Sequence, residues 1–422
     1  MKSCLIMLTS SFPFGTGETF IENEIPYYKD SFDKIIILPI ELDPDAKLTR
    51  ELPSGVAAIN ASAKKQSIAR LGDMIKGIKN LISPSELYKF DREQIGSDLK
   101  RRMFFEYFCN RSLRSGADCL KLLEKFDLPQ YDSITIYSYW FFATAMAGVV
   151  LKEHISEFCE NIKLVSRAHR YDIYEDKNAF NYLPLREYLL ERYDCVFPCS
   201  ENGTQHLASR YPQFAEKIKT AYLGTTDKGE ATSSQSGMHI FSCAQIMDIK
   251  RVEKTIDILE RLETLGCTDI SWTHIGDGNR REMTESAAKK RLKKTKVTFL
   301  GKISNSAVYD FYRNNPVDLF LSTSISEGLP VSMMEALSFG IPIVSTDVGG
   351  VSEIVLDGQT GRLLDVDASD EKFAEIIKEF YDMDSLRYNM YREASRHHWE
   401  KNFNAKDNYN KFFSRMTASP IF

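Results

Sequence analysis

Glu327 and Glu335 stand with seven residues between them in the stretch SEGLPVSMMEALSFGIPIV, on either side of a Gly-Leu-Pro turn. An ionised carboxylate only accepts hydrogen bonds, so a pair of them beside a turn suits the vicinal hydroxyls of a sugar or ribose. Earlier in the chain, in SCAQIMDIKRVEKTIDIL, Lys250 and Arg251 fall where a loop meets an amphipathic run. A cation at that junction adds to the partial positive charge of a helix N-terminus, and both face a phosphate. Blander readings exist for each. The two cations also read as a solvated pair, Glu327 as a cap, and Glu335 as the partner of an arginine. Two glycine turns complete the inventory, SSFPFGTGETF with Gly15 and Gly17, and IGDGNRR with Gly276 and Gly278. Each is a fragment of G-x-G-x-x-G, with Phe20 or Arg281 in the last glycine's place, so a plain tight turn explains it equally well. In the first, a helix is expected from Glu18 with its amides facing the turn. The acidic residue near the end of the second apolar run is Glu41, but without the glycine fingerprint it does not make a dinucleotide site.

Groups like these must be held at the ends of strands. Short apolar runs alternate with longer amphipathic ones along the chain, the pattern of parallel strands joined by helices. The first set of expected strands is CLIMLTS, KIIILPI, SITIYSYW, KLVSRAH, CVFPCS and IKTAYLG; the second is HIFSCA, ISWTHIG, KVTFLG, DLFLSTS, PIVSTD and GRLL. Between them lies TTDKGEATSSQSG, residues 225–237, which has no hydrophobic period and reads as a linker. A helix is expected from about Val331 to Phe339, and a last one, from about Ala405 to Met416, is placed to fold back across the hinge. Open parallel sheets bind ligands beyond the carboxyl ends of their strands, where the two glutamates and Lys250 fall.

Composition narrows the class. A net charge of -5 argues against a general nucleic-acid binder. Eight scattered cysteines without a Cys-x-x-Cys pair favour reduced thiols over a disulfide frame or zinc site. The N-terminal run reads as a buried first strand rather than a signal peptide, and no apolar run reaches the roughly 18 to 20 residues that span a bilayer. The expected location is cytoplasmic, at most peripheral on a membrane's inner face. Charge is uneven, however: residues 61–126 hold 14 Lys and Arg against 8 Asp and Glu, or +6, which leaves -11 for the remainder. Within this island Ile68, Leu71, Ile75, Ile78 and Ile82 form an apolar stripe at helical spacing beside Lys64, Lys65, Arg70, Lys76 and Lys79. Such a helix either lies on an anionic bilayer or packs on its own domain with a solvated basic face.

The stretch Glu327 to Glu335 resembles the E-x7-E motif of the retaining, nucleotide-sugar-dependent glycosyltransferases of family four. FPFGTGETFIENE, IGDG, VTFLGKIS and the run from Phe320 to Leu364 fit that family in order. The resemblance implies an α/β fold of GT-B type, two Rossmann-like domains facing a central cleft. Residues 1–224 would bind the acceptor and carry the basic helical insert of about 61–126, with 225–237 as linker. Residues 238–404 would bind the nucleotide sugar, and 405–422 would form a helix crossing back. It further implies that Glu335 holds the donor's ribose hydroxyls, Glu327 a hydroxyl of the transferred sugar, and the backbone at Gly328, Leu329 and Val331 the sugar or diphosphate. Lys250 matches the family's phosphate-binding lysine, with Arg251 beside it, and the nucleobase is expected against Gly301 to Ile303. Gly17 lets the first turn approach the donor. His169, in SRAHRYDIYED, is the expected contact near the reacting carbon, with Arg167 and Asp172 as second choices.

One departure stands out: Gln245 occupies the place of the family's arginine, and Arg251 or Arg167 is the candidate replacement. No Asp-x-Asp turn ends a strand, so no metal and no cofactor beyond the donor is expected. His169, Lys250 and Glu327 are the groups expected at the reacting centre, with no protein nucleophile. The function implied is transfer of a hexose-type sugar from a nucleotide diphosphate sugar to a glycan or lipid-linked glycan, in cell-surface polysaccharide assembly. A different class, an inactive glycosyltransferase-like subunit that binds glycan or stabilises a partner, is the alternative.

Overall fold

The run Cys-Leu-Ile-Met-Leu becomes β1 (Ser3–Thr9), and its residues from Cys4 to Leu8 are fully buried. Around it assemble β2 (Lys34–Pro39), β3 (Val56–Ala58), β4 (Ser133–Ser138), β5 (Ile162–Ala168) and β6 (Cys195–Pro198). All pairs are parallel, in the order β3-β2-β1-β4-β5-β6. Sheets buried on both faces are built from nearly continuous apolar runs, and Ile6 between Ile36 and Ile136 shows how they align. The computed structural model describes residues 2–15, 17–60, 62, 65–83, 85–234 and 236–418, so Lys64 of the basic stripe lies outside the described residues. Two compact units are present, Met1–Ala221 with Tyr409–Phe422, and Tyr222–Asn408.

IKTAYLG is not a strand. Lys219 and Ala221 donate to the carbonyls of Val196 and Pro198, but Pro198 has no amide to return and Cys199 donates to Ala168 instead, so pairing stops at one bridge. The sixth strand of this sheet is the three-residue β3, too short to stand out in the sequence.

The basic insert forms α1 (Gln66–Asn80), α2 (Tyr88–Ile95) and α3 (Leu99–Leu123), with Asp98 capping α3 through the amides of Lys100 and Arg101. α1 packs on α3 through Ala69, Asp73 and Gly77, each four residues from the last. Asp73 is buried there and takes Arg114 of α3 at 2.9 Å, and a Cβ at Gly77 would come within 3.3 Å of the Tyr107 amide. This contact turns the apolar stripe outward: Ile68, Leu71, Ile75 and Ile78 are 60%, 58%, 48% and 53% exposed. The usual orientation of an amphipathic helix is thus reversed along this contact, where α3 offers an arginine and closely approaching backbone.

From Tyr409 onward the last helix, Ala405–Thr417, belongs to the first unit, with Phe412 against Tyr137 and Phe197. The second unit repeats the topology. Its strands β7 (Met238–Cys243), β8 (Ile270–Ile275), β9 (Lys296–Gly301), β10 (Leu319–Ser322), β11 (Ile343–Thr346) and β12 (Gly361–Leu364) are ordered β12-β11-β10-β7-β8-β9. Residues 225–237 are not a free linker. Ala231 donates to the Phe339 carbonyl at 3.1 Å, Ser234 to Asp318 at 2.8 Å, and Trp399 to Thr225 at 2.7 Å, which straps the segment along the second unit. All eight cysteines are free thiols. Among the described residues no helix is long and apolar enough to cross a membrane.

Candidate functional site

In the second unit the strand order reverses between β7 and β10, and ligands of such sheets bind outside the carboxyl ends at that switch point. A cavity of about 280 Å³ lies there, lined among others by Gln245, Lys250, Ser324, Glu327 and Val331. Its base is fixed by a hydrogen-bond chain. Trp272 Nε1 donates to Ser242 Oγ at 2.9 Å, Ser242 and His274 Nδ1 are 2.8 Å apart, and His274 Nε2 meets the Ala244 carbonyl at 3.1 Å. Burial pulls His274 down to about 4, so the ring is neutral, with its proton on Nε2. The glycines of IGDG serve this same packing. A Cβ on Gly276 would come within 1.8 Å of the Ala244 carbonyl and one on Gly278 within 2.2 Å of that of Ile246. They are needed for contact between loops, which accounts for the incomplete fingerprint.

Lys250 ends a short 3-10 turn, Asp248–Lys250, and its Nζ reaches both carboxylate oxygens of Glu327 at 2.6 and 2.7 Å. The backbone after Glu327 is clamped by a second turn: Gly350 donates to the Gly328 carbonyl at 2.9 Å, and Gly349, at φ +60°, leaves no room for a Cβ beside the Glu327 carbonyl. Pro330 then starts the helix Val331–Ser338, whose first turn carries no acidic side chain. Its first amides, at Val331 and Ser332, have no partner within the helix and lie at its N-terminus, where the helix dipole favours negative charge. Leu329 is buried beneath that turn.

Glu335 is buried deeper in the same helix, where Asn305 Nδ2 donates to its Oε1 at 2.6 Å. Burial pushes its carboxyl up to about 7, against the opposing effect of Asn305. Cys243, at the end of β7, is close enough to both Glu335 and Lys250 for each charge to act on it. Gly301 ends β9 at φ +70° with Arg281 where a Cβ would stand, and half-buried Ile303 follows. Asn305, which begins the next helix behind the Ser304 cap, escaped notice in the sequence; its signal was a cap followed by an amide side chain after a strand.

Arg251 does not line this cavity. It sits at φ +46°, and its guanidinium donates to the carbonyls of Thr323 at 2.7 Å and Val366 at 2.9 Å, so it tethers loops instead of facing the cavity. Arg167 does not replace the missing arginine either. It is fully buried in the first unit, 3.2 Å from Glu24, and donates to the Ala221 carbonyl at 2.7 Å.

In the first unit, His169 follows β5 with its ring 5.0 Å from that of Tyr139 and 4.5 Å from that of Trp140. It is 8% exposed, neither ring nitrogen has a partner, and burial with the charge of Arg167 lowers it to about 3. It is therefore a neutral imidazole able to donate and accept one hydrogen bond. Asp172 accepts from the amides of His169 and Phe141 and is buried, so it positions the turn. A short 3-10 helix, Thr19–Asn23, does follow the N-cap residue Glu18. The Glu18 carboxylate takes the amides of Ser10, Ser11 and Phe12 and the Trp140 indole, so the chain's own carboxylate occupies the turn after β1, and the Gly17 carbonyl is held by Arg50 at 2.9 Å.

Two doubly wound sheets with the same strand order define the GT-B fold of glycosyltransferases. Residues 228–397 match the family model described as glycosyl transferases group 1. Sucrose-phosphate synthase of Thermosynechococcus elongatus superposes with a TM-score of 0.69, covering 98% of each chain at 14% identity, a likeness of fold alone. The GtfA subunit of a UDP-N-acetylglucosamine–peptide N-acetylglucosaminyltransferase from Streptococcus pneumoniae is 25% identical over 245 residues, 56% of this chain and 44% of that one. The O-antigen biosynthesis glycosyltransferase WbnH of Escherichia coli is 32% identical over 123 residues, 29% of this chain and 33% of that one. The chain thus spans less than half the length of each of these two curated relatives.

Proposed function

We propose that the protein is a retaining glycosyltransferase of the E-x7-E type, family four. It moves a hexose-type sugar from a nucleotide diphosphate sugar to an acceptor in cell-surface polysaccharide assembly. The observation that carries this reading is the Lys250–Glu327 pair at the switch point, beside the N-terminus of the helix that also carries Glu335. A diphosphate entering there competes for the ammonium, and Glu327 is released to accept a sugar hydroxyl. Lys250 and the amides from Gly328 to Val331 meet the charge of the leaving group, Glu335 holds the ribose, and the backbone at Gly301 to Ile303 takes the base. The sugar–phosphate bond breaks, the acceptor oxygen bonds the same carbon from the same face, and its proton passes to the departing diphosphate. His169 keeps its assignment to the transferred sugar from the resemblance, and a neutral imidazole suits a neutral ligand.

A scan of nucleotide sugars for thermal stabilisation tests this. The true donor should add about 2.7 kcal/mol at a hundredfold excess over its Kd. If no nucleotide or nucleotide sugar stabilises the fold, the transferase reading is wrong. The second reading, a subunit without activity of its own, is favoured by Gln245 and by the similarity to a chain named as a subunit. Nucleotide binding without transfer by the isolated chain would select it.

The Glu335 carboxyl gives the scan a pH dependence. With a value of about 7 in place of the ordinary 4.5, the ionised acceptor form is lost as pH falls, so nucleotide should bind about tenfold more weakly at pH 6 than at pH 8. Glu335→Gln should flatten that profile. For stability the sign is opposite: the folded protein keeps a proton that the unfolded chain releases between 4.5 and about 7, so this residue's contribution falls as pH rises through that window.

Because lysine and amides meet the diphosphate, transfer should persist in excess EDTA. Loss of activity that magnesium or manganese restores would refute that arrangement. The outward stripe of α1, with Lys65, Lys76 and Lys79 exposed beside it, supports docking on an anionic bilayer.

A further inference from the structure

Among the described residues no group hydrogen-bonds the His169 ring, although the residue is only 8% exposed. The tautomer and tilt of an imidazole are ordinarily set by the bond that one nitrogen makes, and the torsion that swings the ring is broad and roughly two-fold. Here packing alone must fix it. Three rings enclose the imidazole, with centroids at 5.9 Å for Phe20, 5.0 Å for Tyr139 and 4.5 Å for Trp140. Tyr139 is fully buried just after β4, whereas Phe20 and Trp140 are half-buried side chains of the turns after β1 and β4. Both of these depend on one carboxylate.

We propose that Glu18 is a positioning residue, which through the Trp140 indole holds the His169 imidazole in one orientation for the transferred sugar. The proposal rests on the transferase reading, in which His169 meets that sugar. Glu18 takes the amides of Ser10, Ser11 and Phe12 at 2.9, 2.6 and 2.6 Å, and these bonds alone pin the turn after β1. The fourth N–H, Trp140 Nε1 at 2.6 Å, comes from 122 positions away and links that turn to the end of β4. Glu18 is also the N-cap residue of the 3-10 helix that carries Phe20, whose ring meets Trp140 edge-on at 6.0 Å. Its backbone stands at φ +55°, a left-handed conformation that a residue other than glycine keeps only where its surroundings over-determine it. A strained backbone and a carboxylate only 8% exposed therefore coincide at the tether. Four N–H groups and the Ser11 hydroxyl occupy the two oxygens, which leaves Glu18 no place for the acceptor's proton and excludes it as a general base.

The test reads the imidazole directly. NMR of the full chain labelled with carbon-13 in its seven histidines identifies His169 as the signal lost in His169→Gln. In the parent that signal should be single, and Glu18→Gln, which sets an N–H donor against the indole and the amides, should shift or split it. Ser11→Ala, which removes a 3.2 Å bond to the same carboxylate but not the tether, should leave it in place and so separates the tether from general damage to the turn. With the nucleotide sugar that the thermal scan selects, Glu18→Gln should lower kcat by about a hundredfold, the scale for a 1 Å misplacement, while the donor KM changes little. Trp140→Phe keeps Glu18 on its three amides and cuts only the tether, so it should lower kcat similarly and carries the test if Glu18→Gln does not fold. In a His169→Ala background, Glu18→Gln should cost no more than a few-fold further, because the group it positions is gone. Losses that multiply in the double variant, or a His169 signal that Glu18→Gln leaves unmoved, overturn the inference. If no nucleotide sugar stabilises the protein, the transferase reading fails instead, and the NMR signal still decides whether Glu18 orients the imidazole.

Discussion

Lys250→Ala should lower sugar transfer by roughly a hundredfold to a thousandfold, the scale for removing one stabiliser of developing charge. The pair with Glu327 makes the loss larger than that of a lone cation. Without the ammonium, a carboxylate whose side chain is only 11% exposed is left facing the incoming diphosphate. Leaving that group unpaired should cost about 1–3 kcal/mol of stability, a shift of a few degrees in Tm for a unit of this size. Lys250→Ala combined with Glu327→Gln separates the two effects: the double variant should regain stability while transfer stays low. Should the single variant keep transfer within a few-fold of the parent, Lys250 has no part in holding the leaving group.

The fold was legible where short apolar runs alternate with longer amphipathic ones, in the part-exposed edge strands KVTFLG and GRLL as well as in the buried central ones. HIFSCA, ISWTHIG, KVTFLG, DLFLSTS, PIVSTD and GRLL all became strands of the second unit. It was illegible where a strand was short, as with Val56–Ala58, or where one proline ended a ladder, as after Pro198. In the site, sequence reasoning identified groups but not their partners. Lys250 and Glu327 are 77 positions apart, so nothing local shows that they meet. Arg251 read as a phosphate ligand because the sequence does not reveal that a left-handed backbone turns its guanidinium onto two carbonyls. Glu18 was hidden for a similar reason: the amides of a strand-to-helix turn look available to a ligand until a side chain of the same turn occupies them. In the insert, the period of the apolar stripe was plain while its direction was not, since direction depends on the Asp73–Arg114 pair between two helices.

That direction gives the last prediction its size. If the outward face of α1 docks on membrane, reversing Lys65, Lys76 and Lys79 to Glu should abolish binding to vesicles rich in anionic lipid. Each basic residue near such a surface contributes about 1 kcal/mol, and reversal counts roughly twice, so three changes amount to about 6 kcal/mol, or more than a thousandfold. Replacing Ile68, Leu71 and Ile75 by Ser should weaken binding separately, because those side chains stand in water in the free protein and leave it only on the bilayer. Raising salt should weaken the parent but not rescue the reversed variant, since screening acts over a Debye length of about 8 Å at physiological ionic strength. Nucleotide binding should be unchanged in all of these variants, because the Lys250–Glu327 site belongs to the second unit and α1 to the first. A parent protein that ignores anionic vesicles at low salt would show that the exposed stripe serves another purpose than membrane docking.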